Sequence, residues 1–223
     1  MDDYYKEGLA ADRLKKVYDL ATPRIQRYLD KEIEYALSFI ANSDVVLEMG
    51  SGYGRVLKYL TNKTHYVCGI DSSLASLQSA KQYLNKSNNV TLYQMNADAL
   101  GFDNATFNVV VCVQNGISAF HVDPIVLVKE MIRVTKPGGK ILISSYSEKF
   151  WEDRLAWFRL QSEHGLLGEI DWDKTKDGNI VCKDGFTATT YTEDDFRRLM
   201  SNFDNKYTII EIDESSLFCI VEV

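Results

Sequence analysis

In the stretch VVLEMGSGYGRVLKYL, Val45 to Leu60, an apolar run ends on Glu48 and glycines follow at 50, 52 and 54 before a helical pattern begins. Glycine here permits a tight turn and close approach of a ligand, and the following helix presents unpaired N–H groups. A phosphate cradle is one reading, but the residues argue against it. The dinucleotide fingerprint needs a third glycine at position 55, which is Arg55, and no Gly-Lys-Ser/Thr of a P-loop follows. Asp71 stands 23 residues beyond Glu48, at the end of the next apolar run, VCGID. A carboxylate there can accept hydrogen bonds from both hydroxyls of a ribose. The same position suits a cap for a helix starting near Ser73.

These residues need a scaffold of strands whose carboxyl ends lie together. The runs VVLEM, YVCGI, VTLYQM, FNVVVCV and KILISSY alternate with helical patterns near 54–62, 74–85 and 123–135. β-Branched runs between helices indicate a parallel sheet covered on both faces, hence a doubly wound α/β domain. Ahead of it, residues 2–20 read as one helix and residues 22–41 as another. Thr22 caps the second and Pro23 opens it, and Ile25, Tyr28, Leu29, Ile33, Ala36, Leu37 and Ile40 form its apolar stripe. At the other end YTIIEID and SLFCIVEV form an antiparallel hairpin. The first of these alternates as an edge strand does. The second is apolar on both faces, so it inserts between the fifth and sixth strands. Within GNIVCKDGFTATTYTEDDFRRLM a β-excursion precedes a helix that Thr192 caps, in a box completed by Asp195.

The ordered set of motifs resembles the class I S-adenosylmethionine (SAM) dependent methyltransferases, most closely the type-11 group acting on small molecules. EMGSGYG is similar to that family's E/D-x-G-x-G-x-G loop, GIDSS to its ribose-binding acid, NADAL to its adenine-binding segment and VTKPGGKILIS to its turn into the fifth strand. The resemblance implies a Rossmann-like, seven-stranded doubly wound sheet in the order 3-2-1-4-5-7-6 with an antiparallel C-terminal strand. It implies one domain over 1–223, with residues 1–40 a helical lid and 147–195 a substrate-side insertion. Gly50, Ser51 and Gly52 would carry the methionine part of SAM, with Glu48 at its amino group. Asp71 would hold the ribose, Ser72 and Asp98 the adenine, with the Ala99 N–H at a ring nitrogen. Gln114 would offer its backbone near the transferring methyl, and the product would be S-adenosylhomocysteine.

Methyl transfer from a sulfonium chiefly requires alignment and exclusion of water, so no catalytic triad is expected. Acceptor-side candidates are Tyr4, Tyr5, Tyr18, Asn115, Tyr146 and Trp151, with Trp157 beside them and His121 as a candidate base. Trp151, Trp157 and Phe158, at near-helical spacing, also read as core, and KPGG at 136–139 reads as a structural turn. No Asn/Asp-Pro-Pro-Tyr follows the fourth strand, no carboxylate pair for a metal stands there, and only Cys182 lies outside an apolar run. The expected enzyme is therefore metal-free, with a small-molecule acceptor. A protein or RNA acceptor, and a nicotinamide oxidoreductase, are the competing readings.

Composition agrees. A chain of 223 residues with 45% hydrophobic residues suits one globular domain. A net charge of −7 speaks against DNA and anionic membranes as partners. The N-terminus, MDDYYKEGLAADRL, lacks a secretory signal's apolar centre, and no run approaches the ~20 residues of a membrane span. Four cysteines form no metal spacing. A cytoplasmic protein is the expectation.

Overall fold

The apolar runs pair as their patterning requires. In the computed structural model, which describes residues 12–223, β1 (Val45–Met49), β2 (Tyr66–Asp71), β3 (Val90–Gln94), β4 (Phe107–Cys112) and β5 (Thr135–Tyr146) form parallel ladders. A short hairpin of β6 (Ile180–Val181) and β7 (Thr187–Ala188) stands apart from them. β8 (Tyr207–Ile212) and β9 (Ser216–Glu222) then return antiparallel, closing a seven-stranded sheet in the order β3-β2-β1-β4-β5-β9-β8. With the small hairpin set aside, this is the expected order 3-2-1-4-5-7-6. The acidic turn between the last strands places Asp213 and Glu214 at φ values of 55° and 51°, a pairing typical of tight hairpins. Arg24 and Arg27 both bond the Asp213 carboxylate and so tie this turn to the helix Pro23–Leu37.

Side-chain alternation divides the core between the two faces of the sheet. Leu47 and Met49 of β1 join Ile70, Val110 and Ile143 on one face, whereas Val46 joins Val67, Val109 and Leu142 on the other. The helices covering these faces are α1 (Asp12–Asp19), α2 (Pro23–Leu37), α3 (Leu57–Lys63), α4 (Leu74–Tyr83), α5 (Gly116–Ala119), α6 (Pro124–Val134), α7 (Trp151–Glu163) and α8 (Glu193–Met200). A third apolar cluster, containing Tyr28, Phe150, Trp157, Phe158 and Phe186, packs α2 and α7 against the excursion that carries β6 and β7.

Several local expectations are met and some are corrected. Thr22 Oγ1 accepts from the Ile25 N–H at 3.3 Å, and Thr192 with Asp195 makes a reciprocal capping box. The helix expected over 2–20 is described only as α1, and Tyr4 and Tyr5 lie outside the described residues. The helix expected near 54–62 starts at Leu57, because the glycine loop continues to Val56. KPGG lies inside β5 rather than ahead of it. Phe107 pairs with Thr135 and Val109 with Lys140, so residues 136–139 bulge opposite Asn108 alone. Cys182, read as lying outside the core, is buried at 3% exposure, and burial pushes its thiol up to about 11. The cause is its ladder position: Cys182 bridges to Ile170 beneath the hairpin.

Candidate active site

At the carboxyl ends of β1, β2 and β4 lies a cavity of about 350 Å³, within the range of small-molecule sites. Its first half is built from the glycine loop. Gly50 and Gly52 have φ of 73° and 52°, and a Cβ on them would approach Phe120 Cε1 to 2.7 Å and Leu14 Cδ2 to 2.9 Å. Glu48, Gly50 and Gly52 line this half together with Asp71, Ser72 and Asp98. Asp71 accepts from the Gly52 N–H and the Ser73 N–H, both at 2.8 Å, so it ties the glycine loop to the start of α4 while facing the cavity. Ser73 is itself the cap, its hydroxyl accepting from the Ser76 N–H.

Glu48 is held in an unusual electrostatic state. Its side chain is buried, and its Oε2 has no hydrogen-bond partner. Burial pushes its carboxyl up to about 8, Asp71 adds to the rise, and Arg55 opposes it. A buried, unpartnered acceptor on a residue that lines the cavity suits a donor brought by a ligand, above all a cationic one.

A second acid lies behind it. Glu32 of α2 is fully buried, its Oε1 accepting from Ser144 Oγ at 2.6 Å and from the Gln114 N–H at 3.2 Å. Burial raises this carboxyl to about 7 against the pull of Ser144 and Arg55. Gln114 has φ of 56°, and its amide oxygen accepts from the Tyr18 hydroxyl at 2.8 Å. The Arg55 guanidinium sits 4.9 Å from the Tyr18 ring centroid. Glu32, Gln114, Tyr18 and Arg55 therefore form one buried polar assembly that fixes the loop after β4.

The other half of the cavity is aromatic. Tyr18, Tyr146, Trp157, Phe158 and Phe186 line it, with Gln161 among them. Trp157 Nε1 donates to the Val17 carbonyl at 3.1 Å, so α7 holds α1 across the opening. Arg154 is buried beneath these rings, its guanidinium 4.3 Å from the Tyr146 centroid and 5.4 Å from that of Phe158.

The cavity thus gathers Glu48, Gly50, Gly52, Asp71, Ser72, Asp98, Gln114, Tyr18 and Tyr146 from the residues singled out in the sequence. Trp157 lines it too, whereas Ser51, Ala99, Asn115, His121 and Trp151 stand outside the lining. Ser51 is buried with its N–H on the Ile70 carbonyl. Ala99 is exposed and Ala97 lines the wall instead. Asn115 spends its side chain on the Thr189 carbonyl and Ser145 Oγ, tying the excursion down. His121 is exposed at φ 51°, between Phe120 and Val122, which do line the cavity. Trp151 stands outside the lining because it lies six residues before Trp157, about 240° around the helix. Sequence reasoning missed Glu32, Arg154 and Gln161. A signal existed: 28, 32 and 36 recur on one helix stripe, as do 154, 157, 158 and 161.

Residues 46–139 match the family model described as a methyltransferase domain. Over 162 residues the chain is 29% identical to a malonyl-[acyl-carrier protein] O-methyltransferase of Marinomonas sp. (strain MWYL1), covering 68% of this chain and 58% of that protein. The chain thus spans less than two thirds of that relative's length. Among solved structures, a protein from Pyrococcus horikoshii OT3 superposes with TM-score 0.68 at 18% identity, covering 100% of this chain and 99% of that one. A SAM-dependent methyltransferase from Methanosarcina mazei gives TM-score 0.60 at 18% identity, covering 85% and 97%. These likenesses establish the shared fold. No helix among the described residues is long and apolar enough to cross a membrane.

Proposed function

We propose that the chain is a class I, SAM-dependent methyltransferase, a reading supported by the match of residues 46–139 to a methyltransferase domain, and that it transfers a methyl group from SAM to a small-molecule acceptor. The observation that carries the reading is the buried, unpartnered Oε2 of Glu48, facing a cavity between two glycines in left-handed conformation. SAM offers there an ammonium for Glu48, two ribose hydroxyls for Asp71 and an adenine edge for the segment of Asp98. When bound, SAM would supply an activated methyl group, carried on a sulfonium whose departure gives a neutral thioether.

The chain's own residues orient and exclude water. Glu32 holds the Gln114 N–H, Tyr18 holds its side chain, and both keep the loop after β4 beside the transferred group. Phe120 closes over Gly50, and α1 closes over Gly52 through Leu14. No general base is required if the acceptor is already anionic. The net charge of −7 and the buried, free cysteines accord with a cytoplasmic enzyme working on small molecules rather than on nucleic acid.

Calorimetry with SAM, S-adenosylhomocysteine and NAD tests this reading. Binding of the first two is expected, and binding of NAD alone would overturn it. The Marinomonas relative favours one second reading, an acyl acceptor carried on a protein. Assays with a free dicarboxylic acid and with the same acid loaded on carrier protein separate the two, because only the second reading requires the carrier.

A further inference from the structure

The cavity's two halves differ in charge as well as in shape. Its carboxylates, Glu48, Asp71 and Asp98, all belong to the half assigned to the donor. The aromatic half contributes no carboxylate to the lining among the described residues. Instead it presents the Tyr146 side chain, whose hydroxyl burial pushes up to about 12 and so keeps protonated, and Gln161. Gln161 is 2% exposed, and its Nε2 is buried with no hydrogen-bond partner although the side chain lines the cavity. Its helix uses the residue otherwise only through the backbone, where its carbonyl accepts from the Leu166 N–H at 2.9 Å. A buried donor left unpaired is costly, and native structures keep one chiefly where a ligand or water completes it.

The rings add a second, independent constraint. Aromatic faces attract cations, yet here Tyr146 and Phe158 already carry the Arg154 guanidinium and Tyr18 carries that of Arg55. A further ammonium would meet two resident positive charges and no carboxylate in the lining, for Glu32 lies behind Tyr18 with its Oε1 already taken by Ser144 and the Gln114 N–H. A flat neutral or anionic molecule meets aromatic walls and an unpaired N–H.

We propose that the aromatic half of the cavity is an acceptor subsite for a planar, oxygen-bearing, non-cationic molecule, anchored by a hydrogen bond from Gln161 Nε2 to one of its oxygens. Gln161 selects the acceptor and leaves the donor half untouched. The proposal rests on the methyltransferase reading and narrows it.

The test uses three probes sharing one ring: 4-hydroxybenzamide, 4-hydroxybenzoate and tyramine. Each is titrated by calorimetry into the chain saturated with S-adenosylhomocysteine, whose own binding is measured first. The benzamide and the benzoate are expected to bind at least tenfold more tightly than tyramine. Gln161→Met should weaken both by at least fivefold, leave the S-adenosylhomocysteine Kd unchanged, and leave Tm equal or higher because it removes an unpaired buried donor. Equal or tighter binding of tyramine, or no binding of any probe, overturns the proposal. So does a Gln161→Met variant that keeps full probe affinity. The charge preference of the wild-type chain decides the matter even if that variant misfolds. If S-adenosylhomocysteine itself fails to bind, the methyltransferase reading falls, and titration of the free chain still decides the preference of the aromatic half.

Discussion

Replacing Glu48 by Gln removes a charge without changing the shape of the side chain, and its effect on donor binding can be worked from the geometry. Free Glu48 is buried with a carboxyl raised to about 8, so at pH 7 it is mostly protonated. A ligand ammonium that pairs with the ionised form gains about 3 kcal/mol, the upper end for a hydrogen bond to a charged group. Deprotonating Glu48 first costs about 1.4 kcal/mol at pH 7 and about 2.7 kcal/mol at pH 6, from one and two units of separation. The net advantage is then about 1.6 kcal/mol at pH 7, roughly fifteenfold in affinity, and close to nothing at pH 6. Glu48→Gln should accordingly weaken S-adenosylhomocysteine by roughly tenfold at pH 7 and hardly at pH 6. Methylthioadenosine, which lacks the amino-acid part, should bind both proteins alike. Calorimetry in buffers of different ionisation enthalpy should show about one proton released by the wild type at pH 7, from Glu48, and none from that source in the variant. Equal losses for both ligands, or a loss that does not change with pH, would refute the assignment of Glu48 to the ammonium.

Three more outcomes follow from the same geometry. Asp71→Asn should weaken S-adenosylhomocysteine by more than tenfold while keeping Tm within a few degrees; unchanged affinity would give Asp71 a structural role alone, through contacts such as those to Gly52 and Ser73. Arg133 holds the carbonyls of Leu100 and Phe102 at 2.8 and 2.7 Å, and with Glu130 it braces the segment bearing Asp98. Arg133→Met should therefore reduce nucleoside affinity threefold to tenfold, roughly 1 kcal/mol, and an unchanged affinity would show that the segment needs no brace. Glu32 has its folded carboxyl at about 7, above the ordinary 4.5, so the folded chain binds the extra proton and stability falls as pH rises between those values. That contribution is fully present below about 4.5 and lost through about 7, a difference of roughly 3 kcal/mol. Urea unfolding of Glu32→Gln should lack that part of the decline between pH 5 and 8, and identical slopes would contradict it.

The glycine-loop half of the cavity was legible in the sequence because each of its acids ends a strand or opens the turn beyond it, where alternation and glycine spacing mark the place. The parallel sheet followed from continuous apolar runs and the place of the last strand from its being apolar on both faces, whereas the full strand order came with the family resemblance. The aromatic half and the acid behind it were harder, for physical reasons. Glu32 and Gln161 lie on apolar helix stripes, and a reading of hydrophobic period passes over the polar members of a stripe. Nothing in the sequence distinguishes Trp157 from Trp151 until the rotation of α7 against α1 is known. His121 follows the β4 loop closely, yet a left-handed turn at that residue directs the chain so that its neighbours, Phe120 and Val122, face the cavity instead. Cys182 read as lying outside the core because the excursion's packing against α7 is long-range.

A crystal structure of the chain with S-adenosylhomocysteine tests the central claim most directly. The account predicts one molecule in the cavity, its ammonium on Glu48, its ribose on Asp71, and its sulfur turned toward Gln114 and the aromatic half. A ligand bound outside that cavity, or seated with its amino group away from Glu48, would contradict it.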